Sequence, residues 1–360
     1  MTPTDAARAI IEGGIVGGVF PAAALEVGAS AGPIWTAAFG TLTFDDDARA
    51  RVDTPFDLAS LTKVIATTTI VMELVRTGAL ALDEPVRALF TDWRGADREA
   101  VTIRDLLEHT SGLPARLVDQ PPATRREFEH EIGATALEYA PRTRSTYSDL
   151  GFILLGFAAA DRGKAPLQEQ FIHPITVRLK ADTTDDTTDH VLTFRLPPDL
   201  RPLAAPTRPM NQDPRCGRLL TGEIHDNYAA ALGGAAGHAG LFGTAPAVGA
   251  FARAVLRAAR GAASLPPPFL PDLVAQFTSK STVPGSSRAL GWDTMLPTSS
   301  CGTRMSPRAF GHVGFTGTSL WIDPVRDRYF VLLTNRVCGG GTLDDMRTVR
   351  RAFHDALGDI

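Results

Sequence analysis

Apolar residues recur at helical spacing over a long stretch that begins just after Ser60 and that Gly78 ends. This pattern predicts a helix over residues 61–77, with Ser60 at its N-terminus. The same periodicity predicts further helices over residues 4–13, 103–109, 148–161, 246–260 and 343–357.

Strand patterns concentrate at the two ends of the chain. Residues 20–29 and 33–42 alternate loosely around Gly and Ser and predict a β-hairpin, and three more strands are predicted over 309–314, 319–323 and 329–334. Because an N-terminal hairpin can pair with C-terminal strands, we predict an α+β fold with one antiparallel sheet built from both chain ends. Helices would flank this sheet, and the middle of the chain would form an inserted, mainly helical lobe.

The predicted boundaries follow from this arrangement. Residues 1–85 and 280–360 are assigned to the lobe that holds the sheet, and residues 86–279 to the helical lobe. An irregular insertion is expected at residues 175–215, where prolines follow a polar, Thr-rich stretch. That stretch, residues 180–190, is predicted to be an exposed loop.

Composition narrows the classes of function. The chain has 360 residues, 44% hydrophobic and 21% charged, with a net charge of −4, so no nucleic-acid partner is expected. No signal peptide and no membrane span are predicted, which favours a cytoplasmic protein, or a periplasmic one if a signal peptide has been removed. The three cysteines, Cys216, Cys301 and Cys338, are far apart and predict no disulfide framework.

The sequence Ser60-Leu61-Thr62-Lys63 carries the sharpest chemical signal, in a chain with only four lysines. A serine hydroxyl needs a base within hydrogen-bond reach, and residues three apart on a helix share one face. Burial is expected to lower the pKa of Lys63 and so make it that base. The helix N-terminus would favour a developing oxyanion. A chance spacing of Ser and Lys is the alternative.

Other polar residues are weaker candidates on their own. Tyr147 precedes a predicted helix and could be a proton shuttle if Lys63 lowers its pKa, or simply a tyrosine at an interface. His312 starts a Gly-containing stretch at a strand edge, which is either a substrate-binding edge or a β-turn with a surface histidine. The spacing of His225 and His238 matches no standard zinc pattern, so neither a metal nor a cofactor is predicted.

In this order, the motifs resemble those of the serine β-lactamase and penicillin-binding-protein superfamily. Ser60-Leu61-Thr62-Lys63, Tyr147-Ser148-Asp149 and His312-Val313-Gly314 stand where that superfamily has Ser-x-x-Lys, Tyr-x-Asn and Lys-Thr-Gly. Within that superfamily, the sequence most resembles the branch that contains class C β-lactamases, D-alanyl-D-alanine carboxypeptidases and family VIII-type esterases. Further matching stretches are residues 106–114, 147–151, 233–242 and 287–292.

The resemblance implies a β-lactamase-like fold and a role for each motif residue. Ser60 would be the acylated nucleophile, and Lys63 and Tyr147 would share proton transfer. The backbone N–H groups of Ser60 and Phe315 would form the oxyanion hole. His312, Val313 and Gly314 would line the substrate site.

Three departures from the family motifs bear on the substrate. Asp149 puts a carboxylate where an amide could donate a hydrogen bond, His312 replaces a lysine, and Val313 removes a hydroxyl that would help bind a substrate carboxylate. These changes favour a less anionic substrate.

We therefore predict a serine hydrolase acting on a small-molecule ester, amide or β-lactam. A carboxylesterase for short acyl esters, with weak β-lactamase activity, is the first hypothesis. A D-alanyl-D-alanine carboxypeptidase or class C-like β-lactamase is the second. A β-lactam sensor that is acylated at Ser60 without turnover is the third.

Overall fold

The computed structural model describes residues 2–117, 121–171, 191–263, 265–358 and 360. Within these ranges the strands are β1 Ala22–Ala29, β2 Gly32–Gly40, β3 Phe56–Asp57, β4 Leu192–Thr193, β5 Phe242–Gly243, β6 Asp293–Thr294, β7 Phe310–Val313, β8 Ser319–Asp323 and β9 Arg328–Thr334. The α-helices are α1 Pro3–Val16, α2 Thr69–Arg76, α3 Ile103–Leu107, α4 Arg125–Ala134, α5 Asp149–Gly163, α6 Leu167–Phe171, α7 Asn227–Ala231, α8 Ala245–Ala259, α9 Pro271–Thr278 and α10 Leu343–Ala356. A π-helical segment covers Lys63–Thr68, and 3₁₀ turns cover Val86–Ala88, Arg201–Leu203 and Arg336–Cys338.

A six-stranded antiparallel sheet in the order β2-β1-β9-β8-β7-β6 forms the centre of the fold. The N-terminal hairpin joins the C-terminal strands through β1 and β9, where Leu25 lies opposite Leu332. The predicted α+β fold, with one sheet built from both chain ends, is therefore confirmed. The assignment of the chain to two lobes stays a prediction.

Helices cover both faces of this sheet, so its central strands are buried on both sides. Along β1, Leu25 packs in a cluster with Ile11 of α1 and Phe353 of α10, whereas Ala24 faces the cluster that contains Phe251 of α8. The strand therefore reads as a nearly continuous apolar run, as expected of a strand covered on both faces.

A second sheet, in the order β3-β5-β4, leads the chain to Ser60. Its strands have two residues each, with Phe56 and Leu192 both paired to Gly243. The Leu58 amide then donates to the carbonyl of Leu241 at 2.9 Å, which extends the pairing almost to the serine.

The helix predicted over 61–77 differs from expectation in its first half. Leu61 begins it, but residues 63–68 are π-helical, and α2 follows. The Thr69 hydroxyl bonds the carbonyl of Val64, five residues back, at 3.1 Å, and the Thr67 hydroxyl bonds that of Gly237 at 2.6 Å. These side-chain bonds accompany the wider turns that a π-helix requires.

Among the described residues, four helices were not predicted: α4, α6, α7 and α9. Of the predicted insertion, residues 175–190, which include the loop predicted at 180–190, lie outside the described residues. The three cysteines are free thiols, as predicted. No helix among the described residues is long and apolar enough to cross a membrane.

Candidate active site

Ser60 lies on a strained turn between β3 and the helix. Ala59, just before it, has a φ of 46°, a left-handed conformation that is uncommon for a residue with a side chain. The buried Asp57 carboxylate holds this turn by accepting from the amides of Ala59 at 2.8 Å and His225 at 2.7 Å. Burial raises the pKa of Asp57 to about 6, against the opposing effect of those two hydrogen bonds.

The structure brings the predicted nucleophile and its two predicted proton-transfer partners together. Lys63 Nζ lies 3.1 Å from Ser60 Oγ, and Tyr147 Oη lies 2.7 Å from the same oxygen. Lys63 reaches the serine from one turn along the helix, and Tyr147 reaches it from the residue before the N-cap of α5, Ser148. Ser60 is half-buried, so its hydroxyl is open to a substrate while both partners are in place.

The pKa of Lys63 is shifted in the direction opposite to the one predicted from the sequence. Its side chain is fully buried, and Nζ also donates to the carboxylate of Asp149 at 2.8 Å and to the carbonyl of His238 at 3.0 Å. Burial lowers the pKa of Lys63, but the negative charge of Asp149 and the hydrogen bond to its carboxylate outweigh this effect, so the pKa is raised. The predicted lowering was wrong because burial comes together with the contact to Asp149, which opposes it. Lys63 is an ammonium group in the resting site.

A chain of alternating charges extends from Lys63 away from the serine. Asp149 also accepts from Arg116 at 3.0 Å, and the same nitrogen of Arg116 donates to Asp226 at 2.9 Å. Asp226 in turn accepts from the ring of His238 at 2.8 Å. Asp149 is therefore committed to two cations within the protein, and Arg116 is a site residue that the sequence did not indicate.

Aromatic and cationic side chains surround Tyr147. The rings of His109 and His312 lie 4.8 Å and 5.9 Å from its ring, and the guanidinium of Arg288 lies 5.3 Å from it. Burial raises the pKa of the Tyr147 phenol, and the charge of Lys63 offsets this only in part. Tyr147 is thus a neutral hydroxyl that can give its proton to Ser60 Oγ or to a leaving group.

The segment predicted to replace Lys-Thr-Gly forms β7 and the residue after it. His312 is buried, and its Nδ1 lies 2.8 Å from the carbonyl oxygen of Val313. Because a carbonyl oxygen can only accept a hydrogen bond, Nδ1 carries the hydrogen. Burial, followed by the charges of Arg288 and Lys63, holds the pKa of His312 well below its usual value, so the ring is neutral. Val313 is half-buried and Gly314 is buried.

Two backbone amides near the nucleophile lack an internal acceptor. Among the described residues, neither the Ser60 N–H nor the Phe315 N–H donates a hydrogen bond to another group of the protein. Gly314 lets its segment approach the turn before Ser60: a Cβ placed on it would stand 2.7 Å from the carbonyl oxygen of Leu58 and 3.3 Å from the Cβ of Ala59. The two free N–H groups lie on these two closely packed segments and are the candidate donors for an oxyanion.

Phe315 also offers the site an apolar wall. Its side chain is 44% exposed, and its ring packs against His225 at 5.5 Å and under the guanidinium of Arg336 at 4.8 Å. His225 is therefore occupied by this contact and His238 by Asp226. Among the described residues no group of three or more His, Cys, Asp or Glu side chains is placed to hold a metal ion.

The chain is similar to known proteins in both sequence and fold. A family model described as "Beta-lactamase" matches residues 7–354. A putative D-alanyl-D-alanine carboxypeptidase of Escherichia coli (strain K12) is 28% identical over 330 residues, which cover 82% of this chain and 72% of that protein.

Two solved structures show the same fold over nearly the whole chain. EstCE1, a hydrolase with promiscuous acyltransferase activity, matches with a TM-score of 0.76 and 19% identity, covering 99% of this chain and 98% of its own. A class C β-lactamase from Rhodobacter sphaeroides matches with a TM-score of 0.74 and 20% identity, covering 98% of each chain.

Proposed function

The chain belongs to the β-lactamase family of serine hydrolases, and we propose that it is a carboxylesterase that cleaves short acyl esters through a Ser60 acyl-enzyme. One observation carries this proposal: Ser60 Oγ lies within 3.1 Å of Lys63 Nζ and 2.7 Å of Tyr147 Oη. A serine held between two proton-transfer groups has the geometry of an activated nucleophile.

Loss of one proton from the Lys63–Tyr147 pair generates the base. Ser60 Oγ then attacks the ester carbonyl carbon as its proton passes to that pair, and the amides of Ser60 and Phe315 hold the oxyanion. The tetrahedral intermediate expels the alcohol, which takes the proton from Tyr147. A water molecule then attacks the acyl group by the same proton route, releasing the acid and restoring the serine hydroxyl.

The surroundings of the serine support a less anionic substrate. His312 is neutral and buried, Val313 has no hydroxyl, and Asp149 is paired with Lys63 instead of offering an amide N–H. His312 and Val313 cannot bind a substrate carboxylate as a lysine and a threonine would, and Asp149 cannot donate to a substrate carbonyl as an asparagine would. The exposed ring of Phe315 can instead contact an acyl chain.

Arg288 favours a second candidate, a D-alanyl-D-alanine carboxypeptidase or class C-like β-lactamase. Its half-buried guanidinium lies over the Tyr147 ring, and no carboxylate among the described residues pairs with it. A free cation beside the serine could bind the carboxylate that those substrates carry.

Parallel assays separate the candidates. We expect p-nitrophenyl butyrate to be cleaved much faster than a chromogenic cephalosporin or a D-Ala-D-Ala peptide. We expect Ser60→Ala to lower kcat/KM for the ester by at least about a thousandfold. Ser279→Ala, at an exposed serine of the same chain, is the matched control and should behave as the wild type.

Each other outcome has a definite meaning. Faster cleavage of the cephalosporin or the peptide selects the second candidate. One equivalent of cephalosporin product, with a lasting mass increase on Ser60, selects a sensor without turnover. Ester cleavage that survives Ser60→Ala contradicts the nucleophile assignment itself.

A further inference from the structure

Two buried arginines contact the backbone that carries the free amide of Phe315. Arg350, on α10, donates from Nη2 to the carbonyl oxygens of Gly314 and Thr318, each at 2.8 Å. Arg336 donates to the carbonyl oxygen of Phe315 from Nη2 at 2.7 Å and from Nε at 3.2 Å. Arg350 is 5% exposed and Arg336 is 7% exposed.

We propose that Arg350, supported by Arg336, is a positioning residue that orients and polarises the Phe315 amide for oxyanion binding. This inference rests on the proposed function. The carbonyl of Gly314 and the N–H of Phe315 belong to one peptide unit, and in a trans peptide they point in opposite directions. A cation bound to the carbonyl oxygen fixes that plane and draws electron density away from the N–H, which becomes a stronger donor.

The absence of a countercharge gives these arginines a role beyond hydrogen bonding. Neither guanidinium pairs with a carboxylate among the described residues, although burying an unpaired charge is unfavourable. Neutral donors could satisfy the same carbonyls. The charge adds a positive field behind the peptide, directed at the place where the substrate oxygen becomes negative, and that field acts more strongly in a transition state than on a neutral ester.

Arg350 is a cation at neutral pH. Burial, with a smaller effect from Arg336, lowers the pKa of Arg350 to about 9, which still leaves it protonated at pH 7. Arg350 therefore supplies a positive field at pH 7.

Two substitutions separate charge from hydrogen bonding. Arg350→Gln can still donate to a carbonyl but is neutral, whereas Arg350→Lys keeps the charge. For Arg350→Gln we expect kcat for p-nitrophenyl butyrate to fall about tenfold or more with KM within about twofold. For Arg350→Lys we expect kcat within about threefold of the wild type.

The affinity for phenylboronic acid distinguishes a role in positioning the oxyanion donor from a merely structural role, which would leave that affinity unchanged. This acid captures the serine as an anionic tetrahedral adduct, in which Oγ bonds to boron and its proton passes to the Lys63–Tyr147 pair. Its Kd, measured by calorimetry, should rise in Arg350→Gln by about the factor lost in kcat. The matched control is Arg98→Gln, because Arg98 is also buried and donates to a carbonyl, that of Gly133 at 2.7 Å.

The outcomes separate this inference from the proposed function. If Arg350→Gln keeps the kcat and boronate Kd of the Arg98→Gln control, the inference is wrong even though the enzyme is an esterase. If the wild type does not cleave the ester, the proposed function fails, and boronate binding still decides the inference. Should Arg350→Gln not fold, Arg336→Gln takes its place, and an unchanged boronate Kd there overturns the inference.

Discussion

Lys63 Nζ lies between the carboxylate of Asp149 and the hydroxyl that it would deprotonate, at 2.8 Å and 3.1 Å. Carboxylate and carbonyl oxygens can only accept hydrogen bonds, so Asp149 and His238 take two of the three Nζ hydrogens and the third points to Ser60. Once that third proton is lost, the Lys63 nitrogen has a lone pair that points at the serine hydroxyl. The cost of removing that proton is set largely by the charge of Asp149.

Replacement of Asp149 by asparagine should therefore move the pH dependence of the reaction. Since Asp149 raises the pKa of Lys63, Asp149→Asn should lower it. We expect the rising limb of the kcat/KM profile for p-nitrophenyl butyrate to move to lower pH. Asp226→Asn is the control, because Asp226 shares Arg116 but does not touch Lys63, and its shift should be smaller. Equal midpoints in wild type and Asp149→Asn would remove Asp149 from control of the base.

The sequence was most informative about residues that act within one short motif. Ser60 and Lys63 are three positions apart, so helical geometry alone predicts their contact. Arg116, Arg336 and Arg350 could not be found in the same way, because they reach the site from distant parts of the chain and arginine is frequent in this sequence. The direction of the Lys63 pKa shift depended on a tertiary contact and was missed for the same reason.

At the scale of elements, the site depends on how closely the end of β7 approaches the turn before Ser60. Gly314 makes that approach, since a Cβ there would meet the Thr318 hydroxyl and stand 2.7 Å from the Leu58 carbonyl oxygen. Both contacts involve packed backbone or buried groups that have little room to move.

Gly314→Ala should thus separate the two oxyanion amides without abolishing the fold. We expect kcat for the ester to fall about tenfold or more, because an oxyanion donor displaced from its position contributes little. Gly13→Ala, in α1, is the matched control: nothing lies within 4 Å of the position that its new methyl group would take, and alanine favours helix there. Steady-state kinetics and thermal melts of both variants test this, and equal kcat values would show that the β7 approach is not needed.

Elements were predictable where their own residues carried a long periodic pattern. Strands β8 and β9 and helices α5, α8 and α10 lie within two residues of the predicted ranges at each end. Helix α4 was missed because only Phe128, Ile132 and Gly133 of its ten residues are buried, which is too few to show a period. The two-residue strands of the second sheet carry no alternation at all, and the π-helical segment has the same apolar pattern as an α-helix.

At the scale of the whole molecule, Glu26 places a carboxyl group in the interior between the central sheet and α8. It is 3% exposed, accepts from Tyr329 Oη at 2.7 Å and lies 3.9 Å from Arg253. A Cβ on Gly249 of α8 would meet the Glu26 carboxylate, so this helix packs directly on it. Burial raises the pKa of Glu26 to about 7, against the opposing effects of Tyr329 and Arg253.

This raised pKa makes the stability of the fold depend on pH. The folded protein holds the Glu26 proton up to about pH 7, whereas the unfolded chain releases it near the ordinary value of 4.5. Because the folded state binds more protons between these values, Glu26 lowers the free energy of unfolding as pH rises from about 4.5 to 7, by roughly 3 kcal/mol in all. The effect is complete above pH 7 and absent below about pH 4.5.

Glu26→Gln should remove this dependence, since glutamine can still accept from Tyr329 but never ionises. We expect its melting temperature to exceed that of the wild type by a few degrees at pH 8 and to approach it at pH 5. Asp57, whose pKa is also raised, titrates in both proteins, so the difference between their melting curves isolates Glu26. Glu12→Gln, at an exposed position of α1, controls for the loss of a surface carboxylate. If the two glutamine variants differ from the wild type equally at both pH values, Glu26 is ionised in the folded protein and its neighbours Arg253 and Tyr329 stabilise that charge fully.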